Sequence, residues 1–230
     1  MILAVIPARG GSKSIKDKNI RPLNGQPLMS WSIKTALACK AIDKTVVSTD
    51  SNKYADIAKK YGAEVITRPA ELATDNTAMV PVLQHAIAEV EKQGQLVDIL
   101  VLLDPTSPLR LTSDILACLD KINLPETDSV VTICEVEHNP YYVMGQVEND
   151  YLKLPLLELK TPLTRRQDAP KVYRLNACVY VIKKEILAAG KIFTPKTRVV
   201  EMPQIRSSHI DHEVDYLYAE FLLKEGHVQL

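Results

Sequence analysis

Through the first half of the chain, short apolar runs alternate with longer amphipathic stretches, and the apolar runs end on polar or basic clusters. Strands are predicted over 2–7, 45–48, 64–67 and 99–103, the last running into Asp104-Pro105-Thr106-Ser107-Pro108. Helices are predicted over 28–39, 51–61, 80–93 and 114–122, with Asp50 or Ser51 capping the second and Thr112 or Ser113 the fourth. This repetition implies an α/β fold with a mostly parallel sheet covered on both faces. Right-handed crossovers place the C-terminal ends of parallel strands on one edge, where open α/β sheets bind ligands. The clusters around Gly10-Gly11, Ser48-Thr49-Asp50, Arg68-Pro69 and Asp104 are therefore expected to converge on one rim.

The first cluster is the richest. Ala8-Arg9-Gly10-Gly11-Ser12-Lys13 runs on through Lys16 to Lys18-Asn19, directly after the first strand. Adjacent glycines let the backbone turn sharply and bring its N–H groups close to a ligand. With Arg9, Lys13, Lys16 and Lys18 around the turn, the segment suits a polyphosphate, whose charge must be neutralised without water. It is not a Walker A loop, which would need glycines at Pro7 and Ser12, so a kinase reading is disfavoured. No Gly-x-Gly-x-x-Gly occurs either.

Charge balance narrows the ligand. Lys+Arg and Asp+Glu are both 28 in 230 residues, for a formal net charge of zero. Nothing draws the chain to nucleic acid or to an anionic membrane, so the basic loop reads as a local site for a small anion. No apolar run approaches a membrane span and the N-terminus enters a strand at once, so the expected location is the cytoplasm. Cys39, Cys118, Cys134 and Cys178 are far apart in apolar surroundings and read as reduced core thiols.

The character changes over 136–170, which is rich in Pro, Tyr and charge and lacks a helical period. Segments 143–147 and 151–154, split by Glu148-Asn149-Asp150, read as a hairpin. Tyr141, Tyr142, Leu156, Leu157 and Leu159 need a partner there, so the region is expected to be a small dimerisation lobe inserted in a single domain spanning 1–230. Strands over 177–182 and 197–202 and a helix over 213–224 return to the core.

With these residues in view, the chain resembles the acylneuraminate cytidylyltransferases, the CMP-sialic acid or CMP-nonulosonate synthetases. The resemblance runs nearly end to end. It is carried by Ile6-Pro7-Ala8-Arg9-Gly10-Gly11-Ser12-Lys13 with Lys18-Asn19, Ser48-Thr49-Asp50, Arg68-Pro69-x-x-Leu72-Ala73, Pro105-Thr106-Ser107-Pro108-Leu109-Arg110 and Arg165-Arg166-Gln167-Asp168-x-Pro170, in that order. It implies a Rossmann-like three-layer α/β/α nucleotidyltransferase core, CTP as substrate, Mg²⁺ as cofactor with Mn²⁺ as an alternative, and a homodimer that exchanges a small lobe. Five residues in four places depart from the family pattern. Ser14 stands for Gly, Asp104 for Gln, Asn176-Ala177-Cys178 for Asn-Gly-Ala, and His209-Ile210-Asp211 for Asp-x-Asp.

The implied reaction is attack by the anomeric hydroxyl of a 2-keto sugar acid on the α-phosphorus of CTP. The resemblance assigns Arg9, Lys13 and Lys18 to the triphosphate, Lys18 at the α-phosphate. The backbone of Ala8, Gly10 and Gly11, the Ser12 hydroxyl and Asn19 complete the nucleotide grip. Arg68 with Ala73 and Thr77 is expected to read the base, and Asp104, Thr106, Arg166, Gln167, Arg174 and Asn176 the sugar acid. Asp211 is the expected metal ligand, with His209 beside it on the same side of an extended segment. Asp215 is expected to be an ordinary exposed helix carboxylate. Substrates related to neuraminate, legionaminate, pseudaminate and Kdo stay open. A reading of another class is a non-catalytic pyrimidine-nucleotide sensor that lost the metal pair.

Overall fold

A computed structural model describes residues 1–11, 15–161 and 163–229. In chain order, β1 (Ile2–Pro7), β2 (Pro22–Leu23) and β3 (Gln26–Pro27) precede α1 (Leu28–Ala38). β4 (Lys44–Thr49), α2 (Asn52–Lys60), β5 (Glu64–Thr67), α3 (Met79–Glu91), β6 (Ile99–Leu102) and α4 (Thr112–Ile122) continue the alternation. Then come β7 (Ser129–Glu135), β8 (Gln146–Glu148), β9 (Tyr151–Lys153), β10 (Tyr173–Lys183), α5 (Lys184–Ala188), β11 (Thr197–Glu201) and α6 (Glu213–Lys224).

Seven strands form the central sheet in the order β11-β7-β10-β6-β1-β4-β5. β1 pairs in parallel with β4 on one side and β6 on the other. The crossover direction reverses between these neighbours, which opens a crevice beyond their carboxyl ends. Side-chain alternation along β1 explains the two covered faces. Ala4 and Ile6 join a core with Met29 and Ile33 of α1, Tyr54 of α2 and Ile115 of α4. Leu3 and Val5 join the opposite core with Leu83 and Ile87 of α3 and Leu187 of α5.

β10 departs from the parallel pattern: it runs antiparallel to both β6 and β7. Its N-terminal end, not its C-terminal end, therefore reaches the rim. It also starts at Tyr173 rather than at 177, because its register with β7 breaks between Leu175 and Tyr180 and Ala177 sits there at φ 54°. The break interrupts the period-2 pattern by which a strand is recognised. The β-branched stretch of β7 was not anticipated as a strand, and it lies inside the sheet between β10 and β11.

A third core fixes the last element. Tyr216, Ala219, Leu222 and Leu223 of α6 pack with Leu28 and Trp31 of α1, Leu109 and Ile210. Ile210 is fully buried and its amide donates to Thr106 O at 2.8 Å, which draws the 209–211 segment onto the rim beside the turn after β6. β8 and β9 form a separate two-stranded sheet with Val147, Tyr151 and Leu152 exposed. No helix among the described residues is long and apolar enough to cross a membrane.

The caps differ from expectation. The Ser51 side chain makes no capping bond to α2. Asp50 Oδ1 instead accepts the Gly10 amide at 2.8 Å. At α4, the N-terminal carboxylate bond comes from inside the helix, Asp114 Oδ2 accepting the Leu111 amide at 2.8 Å.

Candidate active site

A cavity of about 480 Å³ opens on the rim between β1 and β6. The end of β1 supplies Pro7 and Arg9, and the short turn after it Lys18 and Asn19. Arg68 follows β5, Thr74, Asp75 and Thr77 follow it in turn, and Met79 and Val82 enter from α3. Asp104 and Thr106 follow β6, and His209 and Asp211 close the wall ahead of α6. The convergence of strand-end clusters expected from the chain is thus observed for β1, β5 and β6.

Lys18 is a firmly anchored cation in this wall. It is buried, and its Nζ donates to Ile210 O at 2.7 Å and to Asp211 Oδ1 at 3.2 Å. Burial alone would raise the Asp211 carboxyl, but His209 and the Lys18 hydrogen bond outweigh it and hold it below its ordinary value. The carboxylate is therefore ionised near neutrality. Asn19 Nδ2 donates to Arg9 O at 3.4 Å, tying the start of the loop to its end. Arg9 donates to Asp75 Oδ1 at 2.5 Å, so a carboxylate lies against the first loop cation.

Arg68 is buried beneath the cavity, donating through Nε to Ser48 Oγ at 3.1 Å and through NH2 to Ser48 O at 2.8 Å. Burial pulls its guanidinium down to about 10, against the raising effect of Asp50, and it stays protonated at neutral pH. Those partners hold the fork rigid. Beyond them, Thr77 Oγ1 shares a 2.7 Å hydrogen bond with Thr74 and donates to Glu71 O at 3.3 Å.

Across the cavity, Asp104 Oδ1 accepts from the amide of Thr106 at 3.0 Å and from its hydroxyl at 2.7 Å. Ser107 Oγ lies 2.9 Å from His209 Nδ1, and His209 Nε2 lies 3.5 Å from Asp211 Oδ2. Arg110 is fully buried beneath this corner, donating to Cys178 O at 2.7 Å, to Ser32 Oγ at 2.6 Å and to Asp104 O.

Several expected site residues sit elsewhere. Ser12 and Lys13 lie outside the described residues. The Gly10 amide is committed to Asp50 and is not turned to a ligand. Gly11, at φ 69°, holds a conformation that favours glycine. Neither they nor Ala8 and Ala73 line the cavity. Asn176 is fully buried, its amide oxygen accepting from Thr132 Oγ1 at 2.6 Å and its amide nitrogen donating to Ser207 Oγ at 3.0 Å. It therefore supports the wall and is not part of its surface. Arg174 donates to Ser207 O at 2.8 Å and borders a neighbouring cleft of about 730 Å³ that His209 also lines. Arg166 and Gln167 line a different cleft with Glu135, Glu137 and Lys171, where Arg166 donates to Glu137 O at 2.5 Å. Asp75, Ser107 and Arg110 were given no individual role from the sequence, and Asp50 only that of a helix cap. Asp50, Ser107 and Arg110 stood within the quoted motifs, and Asp75 lay in the loop 73–77 expected to help read the base.

Among the described residues no cluster of three or more His, Cys, Asp or Glu side chains forms a metal cage. Asp211 and His209 offer one carboxylate and one imidazole. Such a pair fits a divalent ion when phosphate oxygens and water supply the other ligands.

Comparison with known proteins decides the class. The cytidylyltransferase family model matches residues 3–217. The chain belongs to the cytidylyltransferase family. It is 35% identical to the post-translational flagellin modification protein B of Campylobacter coli, covering 99% of this chain and 97% of the relative. It is 35% identical to the CMP-N,N'-diacetyllegionaminic acid synthase of Campylobacter jejuni, covering 96% and 94%. It is 32% identical to the pseudaminic acid cytidylyltransferase of the same species, covering 98% and 97%. A solved CMP:2-keto-3-deoxy-manno-octonic acid synthetase complexed with CTP superposes with a TM-score of 0.73 at 16% identity, covering 98% of this chain and 99% of that one. This cytidylyltransferase thus shares the Rossmann-like α/β/α nucleotidyltransferase fold and is an enzyme of nucleotidyl transfer.

Proposed function

We propose that this cytidylyltransferase activates a 2-keto nonulosonic acid with CTP. The anomeric hydroxyl oxygen bonds to the α-phosphorus, the bond to the β-phosphate oxygen breaks, and pyrophosphate leaves. The hydroxyl proton passes to water. One observation carries the reading: Lys18, fixed between Ile210 O and Asp211, shares one cavity with Arg9 and the buried Arg68. Such a transfer depends on positioning and on neutralising charge.

In this reading Arg9, Lys13 and Lys18 take the triphosphate, with Lys18 at the α-phosphate. Ser12, Asn19 and the backbone of Ala8 and Gly11 add hydrogen bonds. Arg68 with Ala73 and Thr77 reads the cytosine, whose O2 and N3 accept and whose N4 donates. Asp211, with His209 beside it, would hold a divalent ion, which supplies charge for the phosphate oxygens. Asp104 and Thr106 face the sugar acid, and Asn176 acts by supporting their wall. Arg166 and Gln167 belong to the small lobe over 136–170, whose exposed Val147, Tyr151 and Leu152 suit a homodimer. Through that dimer they reach the sugar of the neighbouring subunit. The relatives' names favour a legionaminic, pseudaminic or neuraminic substrate.

The test is pyrophosphate release from CTP or UTP with a panel of 2-keto sugar acids that includes Kdo. Release with CTP and one of the nonulosonic acids is expected. CTP binding without release for any acid would leave a nucleotide sensor and overturn the enzymatic reading.

A further inference from the structure

Arg9 is the described loop cation that follows β1 directly, and a carboxylate already holds it. Its NH2 donates to Asp75 Oδ1 at 2.5 Å, joining the loop after β1 to the loop after β5 across the cavity that both residues line. The backbone on either side of Arg9 is tied down. The Ala8 amide donates to Ser48 O at 3.0 Å, the Gly10 amide to Asp50 Oδ1 at 2.8 Å, and Asn19 Nδ2 to Arg9 O at 3.4 Å. Asp75 sits at the tip of a turn in which the Thr77 amide donates to Thr74 O at 3.3 Å and the two threonine hydroxyls share a hydrogen bond. Arg9 is thus presented from a fixed backbone, and Asp75 from a closed turn.

Burial is the main pull on the Arg68 guanidinium, Asp50 opposes it and Arg9 adds to it, so the two arginines stand near enough for their charges to repel. The Asp75 carboxylate offsets that repulsion at Arg9. A phosphate offers a guanidinium the same anionic oxygens as a carboxylate. Two anions brought to one cation also repel each other, so Asp75 and a phosphate compete for Arg9. Exposure decides whether the contact can yield. The Arg9 and Asp75 side chains are 33% and 39% exposed, and an ion pair in contact with water contributes little. Arg68, buried on the hydroxyl and carbonyl of Ser48, has no such freedom.

We propose that Asp75 is an internal competitor of the nucleotide: its carboxylate takes the place on Arg9 that a phosphate oxygen takes, and the triphosphate binds by displacing it. The inference rests on the reading that CTP occupies the cavity. It adds that CTP affinity is set by a contact that must first break, and that this contact lies on the phosphate side of the site and not on the base side.

Calorimetric titration of the full-length chain with CTP, inorganic tripolyphosphate and cytidine, all with Mg²⁺ present, tests it. Asp75→Asn keeps the shape of the side chain and removes its charge. CTP and tripolyphosphate should each bind this variant about fivefold more tightly than wild type, the upper range for a part-exposed ion pair, while cytidine binding is unchanged. In an Arg9→Met background the same substitution should return about twofold at most, since the cation competed for is gone. Asp75→Ala gives the same gain where Asp75→Asn folds poorly. CTP binding unchanged or weakened in both Asp75 variants, or an equal gain in the Arg9→Met background, would overturn the competition and leave the nucleotide reading standing. Failure of the wild type to bind CTP would overturn that reading and the competition with it.

Discussion

Replacing Arg110 gives a test whose order of outcomes is fixed by geometry. The side chain is fully buried, and among the described residues no carboxylate hydrogen-bonds to it; its charge rests on Cys178 O, Ser32 Oγ and Asp104 O. Burial pulls the guanidinium below its ordinary value, the neighbourhood of Asp104 and Asp114 opposing. In Arg110→Met the volume is nearly kept and the buried charge is gone. Cys178 O then loses its charged donor, while Asp104 O keeps the Ser32 hydroxyl at 3.3 Å. One orphaned carbonyl costs about 1–3 kcal/mol, so the net loss should be about 2 kcal/mol. In Arg110→Lys the charge stays buried, and one compact ammonium cannot span three acceptors set for a planar fork. An under-solvated buried charge costs about 3–5 kcal/mol. Lys is therefore the worse substitute, although it keeps the charge. For a chain of this size each kcal/mol moves Tm by about 2–4 °C. Urea unfolding followed by far-ultraviolet circular dichroism should rank stability as Arg, then Met, then Lys. A lysine variant as stable as wild type, or more stable than methionine, would refute the reasoning.

Lys18→Met should lower kcat by about 10²–10³-fold, the usual effect of removing one donor to transition-state charge, and change CTP affinity less; steady-state kinetics beside calorimetry measures both. Ala177→Gly should stabilise the chain by about 0.5–1 kcal/mol, since φ 54° costs an L-residue about 1–2 kcal/mol and glycine returns part of that as chain entropy; differential scanning calorimetry reads the gain. Burial pushes the Cys118 thiol up to about 12 and the Cys178 thiol up to about 11, from 9.0. Above pH 9 the unfolded thiols lose protons that the folded ones keep, so the unfolded state binds fewer and stability falls as pH rises to about 11. The slope is about 1.4 kcal/mol per pH unit for each thiol, and urea midpoints at pH 8, 9 and 10 should show it flattened in Cys118→Ala.

What could be read from the chain follows from which interactions are local. β1, β4, β5 and β6 are short apolar runs bounded by turn residues, and all of them, with the helices between, formed where their periodicity placed them. β7 and the first part of β10 were hidden because their partner lies 40 residues or so away and a break in register spoils the alternation. The site shows the same division. Arg9, Lys18, Arg68 and Asp104 were legible because strand ends on one rim must meet, and His209 and Asp211 only through the family resemblance. Their side-chain commitments were not. Asp50 reads as a helix cap in sequence, yet it takes the Gly10 amide; Asn176 reads as a polar ligand-binding group, yet it is buried. In each case a tertiary partner outcompeted the local one, and sequence spacing carries no information about that competition.

The break in β10 links these misreadings. Residues 176–179 lie outside the regular pairing with β7, so their polar groups are available to other partners. Asn176 O takes the Ser107 hydroxyl, Cys178 O takes Arg110, and Cys178 N donates to Asn176 Oδ1. Ser107 meets His209, and Arg110 meets Asp104 O. One irregular strand segment therefore fixes both residues that stand behind the cavity wall, and the unfavourable φ of Ala177 is the backbone strain that accompanies it. A regular strand would pair those carbonyls along the ladder and leave Arg110 without its Cys178 acceptor. The departures at Asp104, Ala177 and His209, scattered in sequence, thus lie along one connected corner of the molecule.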